Sequence, residues 1–134
     1  MSIQLIRKAL EKRLGSMTPA LATAFENVAF TPAAGTPYQR VNLLPATPDN
    51  ATLGDAYYRE NGLFQVTLLY PQLAGPAAAE ARAEAVRAHF KRGTSITESG
   101  VTTLITRTPS IAPAFIDGDR YVIPITITYQ AEIN

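Results

Sequence analysis

The sequence predicts an α+β domain: a single, mostly antiparallel β-sheet with two α-helices packed on one face. Three observations point there. Apolar residues recur at helical spacing in two stretches, Ile3, Ile6, Leu10 and Leu14, then Ala79, Ala83, Val86 and Phe90. Two other stretches, Leu63–Tyr70 and Arg120–Ile133, alternate with the period of two that a half-buried strand requires. The order is helix, strands, helix, strands, with turns of glycine and proline between them, which suits an antiparallel sheet with helices set to one side. At 134 residues the chain is expected to be one domain, 1–134, large enough to bury a real core.

Taken in order, Ser2 to Leu14 is the first helix, with Ser2 able to cap it and Gly15 a C-terminal stop. Ala20–Phe30 fits helix or strand, with a strand favoured around Thr23–Asn27. Thr31–Pro37 is a turn or loop by composition. Tyr38–Leu44 alternates as a strand, setting Tyr38, Arg40, Asn42 and Leu44 opposite Gln39, Val41 and Leu43. Pro45–Asp55 is a polar surface loop.

Asn61-Gly62, between two alternating runs, is a strong hairpin signal because both residues tolerate positive φ. Gly62–Phe90 then reads as a strand, a turn and an amphipathic helix, the unit around which the rest packs. Within it Phe64, Val66, Leu68 and Tyr70 share the core face, and Pro71 ends the strand. Gly75-Pro76 opens the second helix, where the missing proline N–H costs nothing. Glu80 and Glu84 lie early and Arg87 and Lys91 late, matching the helix dipole, with Gly93 as the cap. Thr94–Gly100 connects to a strand at Val101–Arg107. Thr108–Pro113, with two prolines, is irregular or an edge. Asp117-Gly118-Asp119 turns a second hairpin into the long final strand, where Pro124 marks a bulge or an edge.

The chain offers little to familiar chemistry. It has no cysteine, hence no disulfide, thiolate nucleophile or thiolate metal site, and its one histidine is His89. Asp117 and Asp119 resemble a fragment of a calcium loop without its later glutamate, so a turn is the better reading. Asp49, Asn50 and Asp55 make a polar loop, and Glu60, Glu80, Glu84 and Glu98 show no paired-carboxylate logic. The turn before the second helix lacks the lysine and glycines of a phosphate cradle. No enzyme and no cofactor are expected. A net charge of +1 gives no reason to expect general nucleic-acid binding, which needs a concentrated basic patch, and no specific nucleic-acid contact is expected; the charged N-terminal helix is neither a signal peptide nor a membrane span.

With these residues in place, the chain resembles the tail terminator-like proteins of long-tailed bacteriophages, the group of the lambda tail terminator. The layout carries the resemblance: the short first helix; Tyr57-Tyr58-Arg59-Glu60-Asn61-Gly62-Leu63-Phe64-Gln65-Val66 after a polar loop; the turn Pro71-Gln72-Leu73-Ala74-Gly75; the alanine-rich helix closing in Phe90-Lys91-Arg92-Gly93; and the terminal Val122-Ile123-Pro124-Ile125-Thr126-Ile127-Thr128-Tyr129. What the resemblance implies is a virion structural subunit, made in the bacterial cytoplasm from a phage or prophage gene. It would assemble as a ring, typically a hexamer, on the completed tail tube, stop tube polymerisation and form the head-joining surface. Its partners would be its own copies, the major tail-tube protein and a head-completion protein, and DNA could pass through the ring.

A ring needs two different patches on each subunit. Pro45–Asp55, Thr108–Asp119 and the outer face of the last strand are candidates, and Arg40, Arg59, Arg107 and Arg120 are candidate ring-interface or lumen charges. Two alternatives stand beside this reading: a head–tail connector or other tail component of similar fold, and a small-molecule-binding α+β domain.

Overall fold

A computed structural model describes residues 2–54 and 56–134; Met1 and Asp55, the latter assigned above to the polar loop, lie outside the described residues. The elements are α1 (Ser2–Gly15), β1 (Ala22–Ala24), β2 (Tyr38–Pro45), β3 (Tyr58–Pro71), α2 (Ala77–His89), β4 (Ser95–Glu98), β5 (Val101–Ile105), β6 (Ser110–Ile111), β7 (Phe115–Asp117) and β8 (Arg120–Ile133). They form one sheet in the order β1-β2-β3-β8-β5-β4, with β6 and β7 also paired to β8.

At the centre lie β3 and β8, 14 residues each, paired from Tyr58↔Ile133 to Pro71↔Arg120 without a slip. This ladder corrects the hairpin expected at Asn61-Gly62, since both residues lie inside β3, opposite Gln130 and Tyr129. The glycine serves close approach instead of a turn. A Cβ there would sit 2.5 Å from the Leu44 carbonyl oxygen, 2.8 Å from the Tyr129 hydroxyl and 3.0 Å from Pro45 Cα. A full-length partner strand outweighs a local turn preference.

The two-residue hairpin lies at Ser99-Gly100, within the stretch read as a plain connection. Ser99 and Gly100 have φ of 49° and 85°, and Glu98 pairs with Val101 across them. Two consecutive positive φ values match the twist of the flanking strands. The hairpin at Gly118 forms as expected, with Asp117 opposite Arg120.

The expectation of a mostly antiparallel sheet is corrected to a mixed one, because β1 runs parallel to β2, from Ala22↔Tyr38 to Ala24↔Arg40. β1 cannot reach β2 through a tight turn; residues 25–37 carry the chain back to the same end before β2 starts, and such a crossover gives a parallel pair. Pro124 fits without breaking the β3 ladder. Its carbonyl accepts from the Ala112 N–H at 2.9 Å, so its ring nitrogen faces the β6–β7 side, where pairing is already interrupted.

One buried cluster joins Ile6, Leu10 and Leu14 of α1 and Ala79, Ala83, Val86 and Phe90 of α2's stripe to the sheet residues Val41, Phe64, Val66, Leu68, Ile125, Ile127 and Tyr129. Phe64 and Phe90 meet with ring centroids 6.2 Å apart, and burying each ring contributes roughly 1.5–3 kcal/mol. Ser2, expected to cap α1, instead donates to Glu60 Oε2 at 3.0 Å, tying the helix start to β3.

Candidate interaction surfaces

Alternation leaves the second face of the sheet to Tyr38, Arg40, Asn42 and Leu44 on β2, and to the residues between the core positions of β3 and β8. One end of this face is covered. Tyr38, Leu69 and Val122 are buried there, with Ala24 and Phe30 packed on them and the Phe30 and Tyr38 rings 5.1 Å apart. Arg120 holds that cover down. Its Nη1 donates to the Thr36 carbonyl at 2.5 Å, its Nη2 to the Ala33 carbonyl at 2.8 Å, and its guanidinium carbon lies 4.9 Å from the Tyr38 ring centre. The residue is only 6% exposed. The rest of the face is open, where Leu44 and Leu63 pair across strands with both side chains exposed.

The other candidate arginines are spread out. Arg40 is exposed on β2, opposite Thr67. Arg59 lies further along β3, where Glu132 Oε1 accepts from its Nη2 at 2.9 Å and from the Tyr57 hydroxyl at 2.7 Å. These hydrogen bonds hold the Glu132 carboxyl below its usual range, Arg59 acting more strongly than Tyr57. Arg59 also pairs through its backbone with Asp49, fastening the loop after β2 to the sheet. Arg107 is exposed beyond β5, next to Arg92, and Arg92, Thr106, Arg107 and Thr108 line a notch of about 250 Å³. So the structure places Arg120 within the subunit, ties Arg59 to Glu132, leaves Arg40 and Arg107 exposed, and does not gather the four.

Four polar arrangements went unread in the sequence. Arg82 is buried, with Nη1 donating to the Pro19 carbonyl at 2.5 Å, and burial lowers its pKa. Its position three after Ala79 and four before Val86 was the available signal. Glu26 accepts from the Leu43 backbone N–H at 2.6 Å and from Arg7 Nη1 at 2.7 Å. The carboxylate thus occupies the edge of β2 just past the end of β1, and the Leu43 N–H, followed by Arg7, lowers its pKa. His89 lies against the end of α1, where Nε2 is 2.8 Å from the Arg13 carbonyl oxygen. Glu98, at the far edge on β4, meets Lys8 and Lys12 at 3.3 and 3.7 Å.

An open groove of about 470 Å³ runs beside α1, lined by Ile3, Arg7, Lys12 and Phe25 among others. Among the described residues, no three His, Asp or Glu side chains are grouped as metal ligands would be, and no helix is long and apolar enough to cross a membrane.

Fold and surface together define a small α+β protein whose distinctive features are exposed loops, a part-open sheet face and charged notches. Its sequence matches the model of the phage tail terminator protein family over residues 5–129, and the chain belongs to that family. The resemblance read from the sequence therefore holds. The family is one of phage tail structural proteins rather than enzymes, which makes the chain a tail component. A solved structure 31% identical in sequence superposes with a TM-score of 0.79, covering 98% of this chain and 96% of that one. No curated protein sequence matches.

Proposed function

We propose that this protein caps the phage tail tube as a ring of identical subunits, ends tube polymerisation and forms the surface to which the head is joined. The observation that carries the reading is family membership across nearly the whole chain, residues 5–129. The surface supports it. Closing a ring takes two unlike patches per subunit, and the open part of the outer sheet face, the corner at Arg107 and the hairpin at Phe115–Asp119 are separate, exposed candidates for them. In this reading both helices pack on the core face, which leaves the outer face for neighbours. The subunit is made in the host cytoplasm and resides in the virion tail. Its partners are its own copies, a hexamer by family precedent, together with the major tail-tube protein and a head-completion protein, and DNA crosses the central opening without sequence-specific contact.

The test adds purified protein to polymerising tail tubes of the same phage and images them by electron microscopy. Shortened tubes with extra density at one end are expected. Tubes that elongate to the same length with bare ends, from a protein that stays monomeric at high concentration, overturn the reading.

A further inference from the structure

Among the described residues, two groups of exposed charge are left without full compensation inside the subunit. The first is basic. Lys91 and Arg92 follow α2, and Gly93 donates to the Ile105 carbonyl at 2.8 Å, which sets Arg92 beside Arg107 at the notch bounded by Thr106 and Thr108. None of the three cations has a carboxylate within 4.0 Å among the described residues. The second is the β7–β8 hairpin. Asp117 and Asp119 flank Gly118 at its tip, preceded by Phe115 and Ile116, which are 50% and 53% exposed. Asp119 has only Arg120 at 3.9 Å, and that guanidinium is already committed to Ala33 and Thr36.

These patches lie well apart along one strand. The hairpin enters β8 at Arg120, whereas the notch meets β8 where the Thr106 N–H donates to Thr128, about 26 Å further on at strand rise. Opposite charge at two separated sites on one chain is the layout of a head-to-tail contact. A guanidinium pair bounded by hydroxyls offers the fork geometry that carboxylates accept. Two exposed apolar side chains beside the acids supply the desolvated anchor that charge alone lacks.

We propose that the β7–β8 hairpin of one copy docks at the Arg92–Arg107 notch of the next, with Asp117 and Asp119 on the guanidiniums and Phe115 and Ile116 packed alongside. The contact rests on the ring reading and names the joint that closes the ring. The same chain presents both halves, so the joint repeats around the assembly.

Charge reversal tests it. One variant carries Asp117→Lys and Asp119→Lys, another Arg92→Glu and Arg107→Glu, and a third carries all four changes; all sites are exposed, and circular dichroism checks each fold. Oligomer formation is read by sedimentation velocity, free and with tail tubes. Each double variant is expected to lose ring formation at concentrations where the unaltered protein assembles. An equimolar mixture of the two, and the fourfold variant alone, are expected to recover it, because every joint again pairs opposite charges. The mixture closes only rings of even number, which adds a signature that general loss of fold cannot mimic. Rings that form unchanged in both double variants overturn the joint while leaving the ring reading intact. Unaltered protein that neither assembles nor caps tubes overturns both. Loss of double-stranded DNA binding in the Arg92→Glu, Arg107→Glu variant, with assembly unaffected in the hairpin variant, overturns the joint in favour of a notch facing nucleic acid.

Discussion

Arg13 and His89 cap each other's helices. Arg13 donates through Nε and Nη2 to the His89 carbonyl at 3.1 and 2.9 Å, and His89 Nε2 sits 2.8 Å from the Arg13 carbonyl oxygen. Because a carbonyl only accepts, Nε2 carries the proton in this contact. The last carbonyls of both helices lack intrahelical donors, and each residue supplies one for the other. Arg13→Ala and His89→Ala should each lower stability by about 1 kcal/mol. The double variant should cost at least about 0.5 kcal/mol less than the sum, as coupled neighbours do. Urea denaturation of the four proteins measures this, and strict additivity would show that the two contacts act independently.

Gly62→Ala separates a glycine needed for close approach from one needed in a turn. The added methyl meets the backbone of Leu44 and Pro45, which cannot rotate away. A loss of about 3 kcal/mol is expected from overpacking at the centre of the sheet, seen as a shifted denaturation midpoint. Near-neutral behaviour would contradict the continuous β3 strand.

Arg120 acts inside the subunit, so its removal should be visible in a monomer. Arg120→Ala releases the carbonyls of Ala33 and Thr36 and uncovers Tyr38. A loss of about 2–3 kcal/mol is expected for a buried charged donor, with faster amide exchange across residues 33–38. Arg120→Lys should fall between, keeping the charge but not the fork. Unchanged stability with altered assembly would return Arg120 to the ring interface.

Glu26 makes stability sensitive to acid. Its folded pKa is lowered, first by the Leu43 N–H and then by Arg7, so the folded state favours the charged form. Its contribution is full above the unfolded value of about 4.3 and is lost as pH falls through the lower folded value. The side chain is one-third exposed, which limits the effect to about 1 kcal/mol. Glu26→Gln should lose that amount at pH 7 and flatten the acid limb of the stability curve between pH 5 and the folded pKa. Parallel curves for the two proteins would rule this out.

Tyr129 makes the matching case at high pH. Its hydroxyl is buried without a partner among the described residues, and burial, helped by the Glu60 carboxylate, pushes its pKa to about 12. Because the folded state holds the proton more tightly, stability should decline as pH rises above about 10, the value of a free tyrosine. Tyr129→Phe should abolish that decline and leave neutral-pH stability unchanged or about 1 kcal/mol higher. An undiminished decline in the variant would assign it to other groups.

Periodicity was sufficient wherever burial follows local pattern. Both helices, the two faces of β2, the core faces of β3 and β8, and the turn at Gly118 were legible because side-chain direction repeats every 3.6 or 2 residues whatever the neighbours. The family was legible too, in the run from Tyr57 to Val66 and in the final strand. Partner choice was not, because pairing depends on what lies alongside in space. Asn61-Gly62 looked like a turn until β8 ran the full length of β3, and Ser99-Gly100 looked like a connection until β4 paired with β5. The four arginines show the same division at the candidate site. Sequence marks each as a charge, but only the tertiary structure buries Arg120 under a loop 84 residues away at Thr36 and leaves Arg107 exposed beside Arg92. A charge becomes a clamp or a contact according to the desolvation and partners that the folded chain supplies.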